Sequence, residues 1–253
     1  MWSLAARRSN GAPQERDSLG RKQCARCTDW QPPAAFPASP LYADGLSSRC
    51  TGCRVEEAYG LSPERYAALL AEHDGKCAVC GEAETSGRAL SVDHDRACCQ
   101  GARSCGRCVR GLLCGRCNMG FGHMRDRSEA IVRAASYLTS WRRRGPRDAP
   151  EEPPRGSKGR LWSKYRVSIA GYEGMVREQS ARCAVCDEPN SSGRALCVDH
   201  DHTCCAGKTS CGRCVRGLVC GRCNKGLGYF RDSPELLHAA NAYLERYAAK
   251  TSS

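Results

Sequence analysis

Apolar residues are sparse along this chain, and where they recur they do so at helical spacing. Leu236, Leu237, Ala240, Tyr243, Leu244 and Tyr247 fall on one face behind the start signal Asp232, Ser233, Pro234, which predicts a helix near the end of the chain. Ile131, Ala135, Leu138 and Trp141 repeat the pattern upstream and stop at the basic run Arg142, Arg143, Arg144. A shorter helix opens at Leu61, Ser62, Pro63, Glu64 and carries Tyr66, Leu69 and Leu70. Ala89, Leu90, Ser91 and Val92 read as a strand. Between the two long helical patterns, residues 145–160 hold four prolines, three glycines and mixed charge, the composition of a flexible linker.

Composition explains the sparseness. Of 253 residues, 31 are Ala and 21 are Cys, leaving 51 Val, Ile, Leu, Met, Phe, Trp and Tyr side chains for every core in the protein. Such a chain needs small units closed by metal or disulfide rather than one large apolar core. Residues Met1 to Asn10 contain two arginines and no apolar run of signal-peptide length, so the expected setting is cytoplasmic and reducing, which favours metal. No stretch approaches the roughly 20 apolar residues of a membrane helix. The formal charge of +12 points to an anionic partner such as nucleic acid. A zinc held by four thiolates carries −2, so five such sites would lower the sum to about +2 and leave the basic residues as local patches.

The strongest pattern is an internal repeat. Residues 75–123 align with 181–229 at an offset of 106 without a gap, and 33 of 49 positions are identical. Two C-x-x-C pairs per copy give four thiolates for a tetrahedral ion: Cys77, Cys80, Cys114 and Cys117 in the first, Cys183, Cys186, Cys220 and Cys223 in the second. Upstream, Cys24, Cys27, Cys50 and Cys53 form a third such set around Phe36, Asp44 and Gly45, read as a zinc ribbon. Cys98, Cys99, Cys105 and Cys108, with Cys204, Cys205, Cys211 and Cys214, are candidates for two further sites. Adjacent cysteines are awkward as joint ligands, so one of each pair could instead be free. Cys197 has Ser91 as its counterpart and reads as a buried, inert thiol.

Zinc knuckles alone do not require the run Val92, Asp93, His94, Asp95, which recurs as Val198, Asp199, His200, Asp201, nor Asn118 and Asn224 directly after a cysteine. A carboxylate beside a histidine at a strand end can address a divalent ion with one group and a water with the other. The run C-A-V-C, then V-D-H-D, then V-R-G-L-L-C-G-R-C-N resembles the recombination endonuclease VII family within the HNH or His-Me finger nucleases. The resemblance covers roughly residues 22–125 and 163–230. It implies a small α+β architecture: zinc-stapled ββα-metal domains in tandem behind an N-terminal zinc ribbon. It also implies Asp93 and Asn118, and in the second copy Asp199 and Asn224, as magnesium ligands, with His94 and His200 as general bases. The family's second histidine is kept as His202 but replaced by Arg96 in the first copy. Phe121 and Leu227 stand where the phage type enzyme has an acid.

The expected organisation is therefore a disordered segment 1–20, a ribbon 21–55, a first nuclease copy 56–144, the linker 145–160 and a second copy 161–250. The expected activity is metal-dependent hydrolysis of DNA phosphodiesters, with three to five structural zinc ions, catalytic magnesium and no small-molecule cofactor. Resolution of branched DNA is the leading reading. A nonspecific or site-specific nicking nuclease and a non-catalytic zinc protein that binds nucleic acid are the alternatives. Arg107, Arg110, Arg116, Arg213, Arg216 and Arg222 interleave with the knuckles as candidate contacts to backbone phosphates. The duplication predicts either a monomer acting as a pseudo-dimer or a homodimer.

Overall fold

The structure is a computed structural model that describes residues 15–86, 88–146, 159–190 and 193–251. These divide into two compact units, one within Met1–Gly115 and the other within Arg116–Ser253. Residues 147–158, most of the expected linker, and residues 1–14 of the expected disordered segment lie outside the described residues.

In the first unit, residues 15–20, expected without structure, form a turn. The Asp17 carboxylate accepts from the Leu19 and Arg21 backbone amides at 3.0 and 2.8 Å, an Asx-type closure legible in a short acidic side chain. Strand β1 (Lys22–Gln23) then pairs antiparallel with β2 (Trp30–Gln31). The ribbon's core consists of Cys24, Cys50, Cys53 and Phe36, so sulfur does the work of aliphatic packing. Lys22 is fully buried beside it. Its ammonium donates to Asp44 Oδ2 at 2.8 Å and to the Leu46 carbonyl at 3.1 Å, which together offset the cost of burying the charge.

Helix α1 (Thr51–Tyr59) starts where the Cys50 sulfur accepts from the Cys53 amide, and ends at Gly60 in the left-handed region. Helix α2 (Pro63–Ala71) opens where the sequence predicts, with Ser62 as its N-cap and Pro63 at its first position. Strands β3 (Ser91–His94) and β4 (Val109–Leu113) form an antiparallel ribbon, with a bulge between Asp93 and His94. The strand lies two residues later than the expected 89–92, because its partner is supplied by residues ending at Leu113, opposite Ser91. Asp93 and His94 therefore sit inside the ladder rather than beyond its end.

The second unit holds α3 (Gly115–Met124), α4 (Ser128–Arg144), α5 (Arg160–Tyr165), α6 (Ile169–Glu178), the antiparallel pair β5 (Cys197–His200) and β6 (Val215–Val219), α7 (Gly221–Tyr229) and α8 (Pro234–Thr251). Helix α5 begins inside the stretch read as linker. The predicted apolar faces of the two long helices meet: Ile131, Ala135, Leu138 and Trp141 of α4 and Leu237, Ala240, Tyr243 and Leu244 of α8 are all buried where the two pack together. Each of the larger side chains contributes about 1.5–3 kcal/mol on burial.

The crossing of α3 and α7 obeys the repeat. Gly120 and Gly226 are counterparts, as are Met124 and Phe230. A Cβ on Gly120 would lie 2.7 Å from the Phe230 ring, and a Cβ on Gly226 would lie 2.5 Å from Met124 Cε. Position i of one copy meets position j of the other and the reverse, the signature of an isologous, two-fold interface. Phe121 adds an edge-to-face contact with Phe230, ring centroids 5.7 Å apart. In sequence α3 and α4 belong to the first copy, whereas in space they pack with α7 and α8 of the second.

The two glycines make a paired test. Alanine restores about 1 kcal/mol of helix propensity at either site, so the difference reports packing. Gly120→Ala meets a rigid ring and is expected to destabilise by about 1–3 kcal/mol, whereas Gly226→Ala meets the flexible end of Met124 and should be near neutral. Urea unfolding followed by far-ultraviolet circular dichroism would measure both.

Candidate active site

Among the described residues, five groups of four cysteines each bring their sulfurs within 4.8 Å of one another: 24/27/50/53, 77/80/114/117, 98/99/105/108, 183/186/220/223 and 204/205/211/214. Resolved sulfur separations include 3.8 Å for Cys24–Cys53, 3.9 Å for Cys80–Cys114 and 3.8 Å for Cys211–Cys214. A tetrahedral ion with zinc–sulfur bonds of about 2.3 Å has edges of about 3.8 Å, whereas a disulfide needs about 2.05 Å. All 21 cysteines are free of disulfides. The geometry thus excludes cross-links and fits zinc in every cluster.

The adjacent pairs also fit. Cys98 Sγ lies 3.9 Å from both Cys99 and Cys105, and Cys204 lies 3.9 Å from Cys211 and 4.0 Å from Cys205, so both members belong to each cluster and neither is left over. Knuckle amides converge on the sulfurs, with Cys220 N donating to Cys183 Sγ at 3.2 Å and Cys211 N to Cys205 Sγ at 3.3 Å, contacts that favour thiolate. Cys197 stays outside the clusters, and burial raises its pKa.

In the second copy the Asp199 carboxylate is buried and holds three donors. Arg216 grips it with Nε on Oδ2 at 2.7 Å and Nη2 on Oδ1 at 2.9 Å, and the Tyr137 hydroxyl donates to Oδ2 at 2.9 Å. A carboxylate offers about four lone-pair directions, of which these donors use three. Arg216 Nη2 also reaches Asp232 Oδ2 at 3.0 Å, and His202 Nδ1 lies 2.7 Å from the same oxygen. The rings of His202 and His200 are 4.6 Å apart. His200 is buried, and burial together with the neighbouring His202 charge lowers its pKa below the ordinary imidazole value. Its Nε2 is buried without a hydrogen bond among the described residues.

Asn224 is exposed on the first turn of α7. It lines a cleft of about 840 Å³ that also receives Arg222, Lys225, Arg125, Arg127 and Arg194. In the first copy Arg110 grips Asp93 through Nε and Nη2 at 2.8 and 3.0 Å. His94 Nε2 donates to the Cys99 carbonyl at 3.2 Å, so the cysteine insert orients this ring. Asn118, on α3, keeps a buried Oδ1 without a partner among the described residues.

Residues 52–140 and 158–246, well over half of the chain, each match the recombination endonuclease VII family. The chain belongs to that family. It is 31% identical over 145 residues to the Gene 59 protein of Mycobacterium phage D29, covering 53% of this chain and 83% of that protein, and 30% identical over 145 residues to the Gene 59 protein of Mycobacterium phage L5, covering 53% and 84%. No solved structure matches it. Among the described residues no helix is long and apolar enough to cross a membrane.

Two of the arginines expected on DNA are corrected by their surroundings in this endonuclease VII chain. The side chains of Arg110 and Arg216 are 4% and 2% exposed and are spent on Asp93 and Asp199, so they neutralise buried carboxylates instead of reaching phosphate. Arg107, Arg116, Arg213 and Arg222 are exposed. Sequence reasoning missed Tyr137 and the site role of Asp232, which it took only as a helix start. The signal was present: Arg125 and Asp126 recur as Arg231 and Asp232, and Tyr137 and Leu138 as Tyr243 and Leu244, at the same offset of 106 beyond the compared segment.

Two outcomes follow from this geometry. Metal analysis of the full chain should find about five zinc ions, and a strong chelator should unfold it, since each structural site contributes roughly 10 kcal/mol or more; a count of three would leave the inserts empty. Arg216→Ala, which strips the buried Asp199 carboxylate of its charge partner, should cost about 3–5 kcal/mol in urea unfolding. Arg213→Ala, at an exposed position, should stay within about 0.5 kcal/mol.

Proposed function

We propose that this chain is a divalent-metal-dependent DNA endonuclease of the HNH or His-Me finger type, with one ββα-metal centre per copy, and that its preferred substrate is branched DNA. The observation that carries the reading is the order of parts in the second copy. Asp199 and His200 lie side by side on β5, β6 returns antiparallel, and a cysteine knuckle opens α7 with Asn224 as its next residue. The Asp199 carboxylate and the Asn224 amide are hard oxygen donors suited to magnesium, as are Asp93 and Asn118. The bound ion supplies charge neutralisation at the phosphate and at the departing 3′ oxygen.

The protein's own part is proton transfer and positioning. With its pKa lowered by burial, His200 is neutral near pH 7 and can accept a proton from the attacking water. In the first copy His94 Nε2–H is committed to the Cys99 carbonyl, which leaves Nδ1 as the basic nitrogen. Arg222 and Lys225 beside Asn224, with Arg107, Arg116 and Arg213 elsewhere, suit sequence-independent contact with the phosphate backbone. Resolving a junction needs two nicks on opposing strands. One chain carries two copies whose helices meet in an isologous packing, which supports a monomer acting as a pseudo-dimer.

Labelled four-way, duplex and single-stranded DNA, incubated with the zinc-loaded protein and magnesium, tests this. Paired cuts in the four-way substrate by a protein monomeric in light scattering are expected; nicking of plain duplex at equal rate would favour the nicking nuclease. His200→Ala is expected to lose more cleavage than His94→Ala, within the 100- to 10,000-fold that a general base typically contributes, because only the second copy has a histidine, His202, beside its base. Full activity in the double variant would remove both histidines from the chemistry.

A further inference from the structure

Helix α4 belongs by sequence to the first copy, yet two of its side chains end on acids of the second copy's centre. The Tyr137 hydroxyl donates to Asp199 Oδ2 at 2.9 Å, and the Trp141 indole Nε1 donates to Asp201 Oδ2 at 3.2 Å. These two acids flank His200. Tyr137 and Trp141 are one helical turn apart, so a single face of α4 reaches both. We propose that Tyr137 is a positioning residue for the second copy's reaction, acting across the copies: α4 of the first copy completes the centre of the second. The proposal rests on the endonuclease reading given above.

The second copy has a notch for this tyrosine. Gly217 is the β6 residue paired with Asp199 in the ladder. A Cβ there would lie 3.3 Å from the Tyr137 hydroxyl and 3.2 Å from Gln179 Oε1, so any larger residue crowds the approach to the carboxylate. Gln179 is itself fixed, its Oε1 accepting from the Leu218 amide at 2.9 Å and its Nε2 donating to the Leu218 carbonyl at 2.7 Å, and it cannot yield easily. The carboxylate oxygen it meets has no proton to give, so the phenol acts as donor.

The consequence is directional. Arg216 approaches Asp199 through both of its oxygens, and Tyr137 adds a third donor on Oδ2, which fixes the plane of the carboxylate and the lone pair that Oδ1 still presents. Removing the hydroxyl while keeping the ring leaves the packing of α4 on α8 intact and frees that plane. An interaction of this kind alters turnover rather than substrate capture.

The experiment combines Tyr137→Phe with each base variant in the full, zinc-loaded chain and reads kcat and KM separately on labelled four-way DNA with magnesium. In the His94→Ala background, where the second centre does the cutting, kcat should fall about tenfold with KM within about twofold. In the His200→Ala background the loss should be much smaller. Gly217→Ala, which displaces the hydroxyl without removing it, should reproduce the same background dependence, and zinc content and circular dichroism should match the parent in both variants. Loss confined to the His200→Ala background would place Tyr137 in its own copy and overturn the proposal. Equal loss in both backgrounds, or a change only in KM, would make its role structural and overturn it as well. A wild-type chain that cuts no DNA sinks the endonuclease reading itself, whereas a wild type that cuts and a Tyr137→Phe variant with unchanged kcat sinks only this inference.

Discussion

Everything in this protein hangs on the tetrahedral convergence of four sulfurs. Fifty-one large apolar side chains cannot close separate cores for a ribbon and two nuclease copies, and the first unit shows the substitution openly, with three cysteines and one phenylalanine as the ribbon's core. The three double-knuckle clusters each join segments distant in sequence and start a helix as they do so. Cys50 and Cys220 accept from amides three residues on, at the first turns of α1 and α7. A metal bound there would fix a strand end and a helix start at one point, and so would set the angle between the ribbon bearing Asp199 and the helix bearing Asn224. Sites of this size achieve with about 2.3 Å bonds what larger domains achieve with many dispersion contacts.

A second constraint is the buried charge on β3 and β5. Asp93 and Asp199 are almost completely enclosed, and enclosure of a lone carboxylate would cost several kcal/mol. The arginine of each V-R-G run, two strand positions from the knuckle-proximal leucine, answers that cost with a fork of two hydrogen bonds. The second copy extends the answer. Asp232, in a left-handed conformation unusual for a residue with a side chain, joins Arg216 and His202, and Tyr137 closes the other side. The same left-handed turn recurs at Arg125 and Asp126 after α3, so the backbone conformation belongs to the helix ending and the network makes use of it.

Much of this was legible in the sequence. Cysteine spacing located the three double-knuckle clusters, because two sulfurs three residues apart in a tight turn point the same way whatever surrounds them, and left the two insert clusters as candidates. The helical faces of α4 and α8 followed from periodicity, and the start of α2 from the run Leu61, Ser62, Pro63, Glu64. The failures have a common cause. Whether an arginine meets phosphate or a buried carboxylate depends on its strand partner, and Arg110 and Arg216 carry no local mark that distinguishes them from Arg107 and Arg213. The adjacent cysteines looked awkward as joint ligands only because local backbone was considered without the loop that folds Cys105 and Cys211 back onto them.

The largest difference between sequence and structure concerns what a copy is. Alignment draws the boundary after the long helix beyond each knuckle helix, since the family match runs to residues 140 and 246. Packing draws it elsewhere: α3 and α4 share a core with α7 and α8 because two amphipathic helices, each too poor in apolar surface to close a core with its own short ribbon, bury their faces against each other. Duplication within one chain makes that exchange independent of protein concentration, since the partner face is always present at the effective concentration set by the connecting segment. It also removes the identity of the two halves as a constraint. In two separate identical chains, a substitution such as His202 for Arg96 would appear in both centres or neither. In a fused repeat it appears once, and the copies are free to diverge in chemistry while the glycine-notched crossing that joins them stays symmetric.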